Sequence, residues 1–195
     1  MASFEQKRRA VFIDRDGVIC QNRSDHVKSW EEFVFLPGAL DAMGRLATTG
    51  LAVVIITNQA IINRHIVPVG IVEEIHTRML QAIEEVGGCV ERVAYCPHRP
   101  DESCGCRKPE PGLLLAAAEA LGLDLGSSYL IGDAETDMQA GRAVGCQRYL
   151  VLTGRGRRQL VRCLLHGELG FRITPDLGSA VDIILRRENG ARGSA

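Results

Sequence analysis

Apolar residues fall along the chain in two alternating patterns. Short continuous runs occupy 11–13 (Val-Phe-Ile), 51–56, 90–95, 129–132 and 148–152. Runs of this length rich in β-branched and aromatic residues predict buried strands. Between them the apolar positions recur at helical spacing. Ala39, Leu40, Met43 and Leu46 share one face after the Pro37-Gly38 turn signal, with Gly50 as the stop. Ile71, Ile75, Met79, Ala82, Ile83 and Val86 share another, closed by Gly87-Gly88. Further helices are predicted over 113–121 and 135–144, the second ended by Gly145. In the basic stretch 154–170, Leu160, Val161, Leu164 and Leu165 predict a short helix face. A last strand over 171–174 and a closing helix over 179–185 complete the pattern.

Strands alternating with helices imply right-handed crossovers and a parallel sheet covered on both faces. The fold class is therefore α/β, a Rossmann-like parallel sheet sandwiched by helices. The 195 residues fit one domain, 1–195, with a core of about 10–187 and a frayed tail after Arg186. The strand at 11–13 runs directly into Asp14-Arg15-Asp16-Gly17. In an extended segment residues i and i+2 point the same way, so Asp14 and Asp16 are expected to crowd together at the sheet's carboxyl edge, where such folds place ligands. The run ending in Thr57-Asn58-Gln59 and the run ending in Asp133 reach the same edge. The polar stretch 21–35 predicts an irregular loop across it. One acidic pair can be a helix cap beside a solvated acid, but four polar groups converging on one edge argue for a site.

Composition narrows the classes. A 46% hydrophobic fraction, 24% charged residues and a net charge of −1 describe an ordinary globular protein without the basic excess of a nucleic-acid binder. No apolar run approaches the roughly 20 residues of a membrane span, and the four apolar residues after the basic start are too few for a signal peptide. Seven cysteines without an export signal point to the reducing cytoplasm. Cys20, Cys89, Cys146 and Cys163 are scattered, which predicts small buried hydrophobes. A monomer is expected, with a small homo-oligomer as the alternative.

The residue types at the edge suit phosphoryl transfer, which needs positioning and charge neutralisation. Asp14 can act as a nucleophile and Asp16 as general acid and base. Mg²⁺ prefers hard oxygen ligands, which Asp14 and Asp133 can supply, while Asp137, one helical turn on, can ligate or orient. Thr57 offers a hydroxyl and Lys108 a point charge for a phosphoryl oxygen. Cys96, His98, Cys104 and Cys106 give three thiolates and an imidazole, a closed tetrahedral set for structural Zn²⁺. The last ligand directly precedes Arg107-Lys108, so the metal would hold the phosphate-binding arm.

Asp14-Arg15-Asp16-Gly17, Thr57-Asn58, Lys108-Pro109 and Gly132-Asp133 followed by Asp137 resemble, in order, the four motifs of the haloacid dehalogenase (HAD) phosphohydrolases. With Cys96-Pro97-His98 and the 104–109 stretch, they look like the heptose 1,7-bisphosphate phosphatases and the related histidinol-phosphate phosphatases. The resemblance implies a HAD-like fold with small loops and a zinc-binding loop instead of a large cap domain. It implies Asp14 as nucleophile and Asp16 as acid/base. It places Thr57 and Lys108, with Asn58 beside them, on the phosphate. It implies Mg²⁺ on Asp14, the Asp16 carbonyl and Asp133, with Asp137 in support. It leaves Arg107 free for a second phosphate.

One segment departs from the pattern. After Gln59 the family runs Ser-Gly-Ile, a small residue, Arg and Gly; here it is Ala60-Ile61-Ile62-Asn63-Arg64-His65. Arg64 is kept as a substrate-contact candidate, and His65 is expected to be an exposed loop residue. The basic stretch 155–158 reads as a solvated helix start. The expected function is Mg²⁺-dependent hydrolysis of a small phosphorylated metabolite, a heptose bisphosphate first. The alternatives are a histidinol-phosphate or other sugar-phosphate phosphatase, a polynucleotide 3′-phosphatase, or a non-catalytic zinc-stabilised binding module.

Overall fold

The computed structural model describes residues 7–192. Six strands form one parallel sheet: β1 (Ala10–Ile13), β2 (Ala52–Asn58), β3 (Arg92–Cys96), β4 (Tyr129–Gly132), β5 (Gln147–Val151) and β6 (Arg172–Thr174). Their spatial order is β3-β2-β1-β4-β5-β6. The helices are α1 (Ala39–Leu46), α2 (Val69–Glu85), α3 (Gly112–Leu121), α4 (Glu135–Ala143), α5 (Gly156–Leu165) and α6 (Leu177–Arg192). The chain winds outward from β1 to β3, returns to β4 beside β1, and winds out the other way. The switch point therefore lies between β1 and β4, where open α/β sheets bind ligands beyond the strands' carboxyl ends.

Period-2 alternation sorts the strand side chains onto two cores. Val11, Ile13, Val53 and Ile55 meet Met43 of α1, Ile75 and Met79 of α2 and Val181 of α6. Ala10, Phe12, Val54 and Ile56 meet Leu113, Leu114 and Ala117 of α3 and Ala140 of α4. All four residues of β1 are inaccessible to solvent. Burying each larger aliphatic or aromatic side chain contributes about 1.5–3 kcal/mol, which holds β1 centrally although it ends in acids. The long run between β1 and α1 stays irregular, as expected, apart from a 3₁₀ turn at Trp30–Glu32. Its Trp30, Phe33 and Phe35 rings pack on one another, and this anchors a loop that overhangs the carboxyl edge.

Four expectations need correction. In α5 the buried positions are Gly156 and Cys163, with Leu160 packed nearby. Val161, Leu164 and Leu165 face solvent, Leu165 at 77% exposure. At 100° per residue, positions 160 and 163 share one face and the other three turn away from the sheet. Second, α6 continues to Arg192, so residues 187–192 of the expected frayed tail are helical and the rest lies outside the described residues. Glu188 is its anchor: the carboxylate is buried, pairs with Arg9 and accepts from the Tyr129 hydroxyl at 2.6 Å. Third, Cys89 is exposed, in the turn after α2, whereas Cys20, Cys146 and Cys163 are buried as expected. Fourth, Asp14 and Asp16 do not continue one extended strand; both line the cleft, but with different partners. The strand stops at Ile13, and the chain turns so that the Ile19 and Cys20 amides both donate to the Arg15 carbonyl.

Candidate active site

The turn after β1 sends its two acids to different neighbours. Asp14 lies 2.9 Å from the Lys108 ammonium, and Asp137 lies 2.6 Å from the same nitrogen. Asp16 lines the same cleft, its carboxylate held by Arg15 and Gln59. Asp133 directly follows β4 with no solvent exposure; its Oδ2 accepts from the Arg155 amide at 2.7 Å. Asp14, Asp133 and Asp137 each bring a carboxylate oxygen within 4.8 Å of the others. Glycines clear the space. Gly17 holds φ +88°, and a Cβ there would lie 2.1 Å from an Asp133 oxygen. A Cβ on Gly132 would lie 2.4 Å from the Asp137 carboxylate. Both positions require the absence of a side chain, the first for its left-handed backbone as well.

Three buried acids face one ammonium, and their protonation reflects it. Burial pushes Asp14 up to about 7; Lys108 opposes this, and Asp137, Asp133 and Asp16 add to it. Burial likewise raises Asp133 to about 6 against the Arg155 guanidinium. Burial alone would lower Lys108, but Asp137 and Asp14 outweigh it and raise it. Uncompensated buried charge costs several kcal/mol per ion, so this is a poor device for stability. Clustered hard oxygens carrying excess negative charge fit a small divalent cation.

Alternation along β2 separates its two polar ends. Thr57 lies on the α2 side, where its hydroxyl accepts from Gln59 Nε2 at 2.8 Å and lies 3.4 Å from Asp16. Asn58 points the other way and clasps the backbone of Lys108: its Nδ2 donates to the Lys108 carbonyl at 3.1 Å, and its Oδ1 accepts from the Lys108 amide at 3.1 Å. Asn58 therefore holds the Lys108 backbone while also lining the cleft. The Lys108 ammonium also donates to the Ile56 carbonyl at 3.0 Å.

Cys96 ends β3, and the loop after it brings His98, Cys104 and Cys106 back to it. The separations are 3.4 Å from Cys96 Sγ to His98 Nδ1, 3.5 Å to Cys104 and 3.2 Å to Cys106. A tetrahedron with Zn–S near 2.3 Å has edges of about 3.7 Å, so the four atoms sit close to ligating positions. Burial pushes the Cys104 thiol up, but hydrogen bonds from Cys106 and Cys96 outweigh it and bring it to about 7, which favours the thiolate a metal needs. Arg107 is tied to the same loop through the His98 carbonyl at 3.0 Å.

A cleft of about 660 Å³ opens over the acids. Its walls carry Arg15, Arg23, Arg64, Arg107, Lys108, Arg155 and Arg162, together with His26. Arg64 is exposed at the rim, 3.4 Å from His26 Nε2, and His65 is an exposed loop residue. Arg155 is more than a solvated helix start, because its amide and guanidinium both face Asp133. Sequence reasoning missed this residue's contact, and also Gln59, His76 and Arg162. The basic run at 155–158 was the one available signal, and it could not show that the chain folds back onto β4.

A parallel sheet with a nucleophile-ready acid after its first strand, a lysine arm and a second acidic strand end defines a HAD-type phosphohydrolase centre. Comparison agrees: the family model for HAD-hydrolase-like proteins matches residues 105–177. The D-glycero-β-D-manno-heptose-1,7-bisphosphate 7-phosphatase of Pseudomonas aeruginosa is 38% identical, over 92% of this chain and 99% of its own. The crystal structure of the D,D-heptose 1,7-bisphosphate phosphatase from Bordetella bronchiseptica, complexed with magnesium and phosphate, superposes with a TM-score of 0.86 at 36% identity, covering 92% of this chain and 99% of that one. The corresponding enzyme from Burkholderia thailandensis gives 0.70 at 32% identity, covering 91% and 99%. The chain belongs to the family of D-glycero-β-D-manno-heptose-1,7-bisphosphate 7-phosphatases within the HAD-like hydrolases.

Proposed function

We propose that the protein is a Mg²⁺-dependent phosphatase that removes the 7-phosphate from D-glycero-D-manno-heptose 1,7-bisphosphate and leaves the heptose 1-phosphate. The observation that carries this is the joining of Asp14, Lys108 and Asp137 under a cleft whose wall also carries Arg23, Arg64, Arg107, Arg155 and Arg162. A bisphosphate brings two multiply charged groups, and such a cleft suits both. Relatives of the same name over nearly the whole chain support the substrate.

Asp14, Asp133 and Asp137 would hold Mg²⁺, with the Asp16 carbonyl in reach of the same turn. The ion supplies neutralisation of phosphoryl charge and keeps the acids ionised. Asp14 attacks the phosphorus; the bond to the sugar oxygen breaks, and that oxygen takes a proton from the Asp16 carboxyl. Water then attacks the phosphorus and gives its proton back to Asp16, and the bond to Asp14 breaks to release orthophosphate. Lys108 and the Thr57 hydroxyl steady the phosphoryl oxygens through both steps. Arg107 and Arg64, both on the cleft wall, receive the second phosphate. Cys96, His98, Cys104 and Cys106 would bind Zn²⁺ and keep the Arg107-Lys108 arm in place.

All seven cysteines are free, which suits a reducing cytoplasm. Among the described residues no helix is long and apolar enough to cross a membrane.

Phosphate release measured across both heptose 1,7-bisphosphate anomers, histidinol phosphate and simple sugar monophosphates tests the assignment. A heptose bisphosphate should exceed every monophosphate in kcat/KM by at least tenfold. Equal rates on all would reduce the protein to a broad phosphatase, and preference for histidinol phosphate would reassign it.

A further inference from the structure

Arg15 is fully buried between the two acids that the reading above uses, yet it has no part in the chemistry described. Its Nη2 donates to both oxygens of Asp16, each at 2.9 Å. Asp16 is its one ion-pair partner among the described residues. On the far side, Nη1 lies 3.1 Å from Nε2 of His76, a buried residue of α2. Burial and the guanidinium lower His76 to about 3, so it is a neutral imidazole that accepts from Arg15. The Tyr95 ring flanks His76 at 5.4 Å, and Phe33 lies 6.0 Å from the guanidinium carbon. From the cleft side, Gln59 Nε2 donates to Asp16 Oδ2 at 2.9 Å. One carboxylate is thus gripped from both sides by groups that have little freedom to move.

A buried arginine is a weak source of stability, since removing two charges from water costs several kcal/mol per ion and apolar replacements are often as stable. The geometry has a better use. Asp16 must exchange a proton with the leaving oxygen and then with water, and each exchange changes its charge. A guanidinium already aligned on the carboxylate meets that charge without reorganising. The chain-distant brace from α2 fixes the guanidinium itself.

We propose that Arg15, braced by neutral His76, is a positioning residue for Asp16 that aims its carboxyl at the leaving oxygen. This rests on Asp16 being the acid/base. Its signature is leaving-group dependence. A sugar alkoxide leaves slowly without a proton, whereas p-nitrophenolate leaves without help, and kcat/KM reports the first phosphoryl transfer in both cases.

The test compares Arg15→Met, His76→Leu, His76→Gln and Asp16→Asn on heptose 1,7-bisphosphate and on p-nitrophenyl phosphate, with thermal unfolding of each variant. Arg15→Met should lower kcat/KM on the sugar about 100-fold and on the aryl ester less than threefold, since small misplacements of reacting groups cost about 10²-fold. His76→Leu should lose about tenfold with the same selectivity, and His76→Gln, which keeps an acceptor, should recover most of it. If Arg15→Met does not fold, the two His76 variants decide. Equal losses on both substrates, or none on the sugar, would overturn the proposal. If Asp16→Asn also shows no leaving-group dependence, the acid/base assignment falls with it; if Asp16→Asn does show it and the others do not, only the role of Arg15 and His76 falls.

Discussion

At the scale of the residue, the site is a problem in placing one ammonium. Lys108 serves Asp14 and Asp137 at once, and its backbone is clasped by Asn58 through two hydrogen bonds. Asn58→Leu should therefore cost about 1–3 kcal/mol of stability, roughly two neutral hydrogen bonds, and a larger share of activity. A drift of about 1 Å in a reacting group can cost about 10²-fold, so kcat should fall at least tenfold. Phosphate-release kinetics beside urea unfolding checks both; an unchanged kcat would mean that the Ile56 carbonyl and the acids hold Lys108 unaided. Asp14, Asp16, Thr57, Lys108, Asp133 and Asp137 are all legible in the sequence as candidates, because each belongs to a short motif: most stand at or just beyond the end of a strand, Asp137 in the first turn of α4, and Lys108 in the Arg107-Lys108-Pro109 stretch of a loop. Arg15 is not, although it stands between two of them. Local sequence does not say whether a long cationic side chain points outward or folds inward to a partner 61 positions away.

At the scale of the element, β1, β2 and β4 are legible because near-complete burial leaves a continuous apolar run, visible without context. Helix α5 shows the limit of the same logic. Its leucines and valine satisfied a helical spacing, but Cys163 and Gly156 are what fit against β5 and α4. Small residues win where backbone approaches closely, and they carry little apolar signal. The Cys/His loop is the element on which the arm depends. On the proposed zinc reading, removing one of its four candidate ligands leaves three, too few for a closed site. Cys104→Ala should lose zinc and raise KM through Arg107, which is tied to the His98 carbonyl. Metal analysis and steady-state kinetics on the purified variant check this; full zinc content with unaltered kinetics would refute it.

At the scale of the whole molecule, the topology does the gathering. Because β1 lies between β2 and β4, residues more than 100 positions apart reach one edge, and only the alternation of strands and helices was needed to foresee it. The rim was less legible. Arg64, Arg107, Arg155 and Arg162 come from separate loops and α5, and loop paths follow from packing rather than from pattern. The gathered acids also give the molecule a pH signature. Asp14 titrates near 7 and Asp133 near 6 in the folded chain, against about 3.9 when unfolded. The metal-free native state thus binds more protons than the unfolded chain between about pH 4 and 7, so their contribution to stability is present at the acid end and lost as pH rises through that window. Mg²⁺ competes with those protons, so its affinity should climb over the same window. Unfolding free energies with and without Mg²⁺ at several pH values check the sign; a metal-free protein that gained stability from pH 5 to 7 would contradict it.

The central claim is that Asp14 attacks phosphorus with Mg²⁺ and Lys108 beside it. The direct measurement is Mg²⁺-dependent phosphate release from heptose 1,7-bisphosphate by the wild-type chain and by Asp14→Asn, with circular dichroism on both. The wild type should turn over only with Mg²⁺, and Asp14→Asn should be folded and inactive. A folded Asp14→Asn that still releases phosphate at a comparable rate would contradict the account.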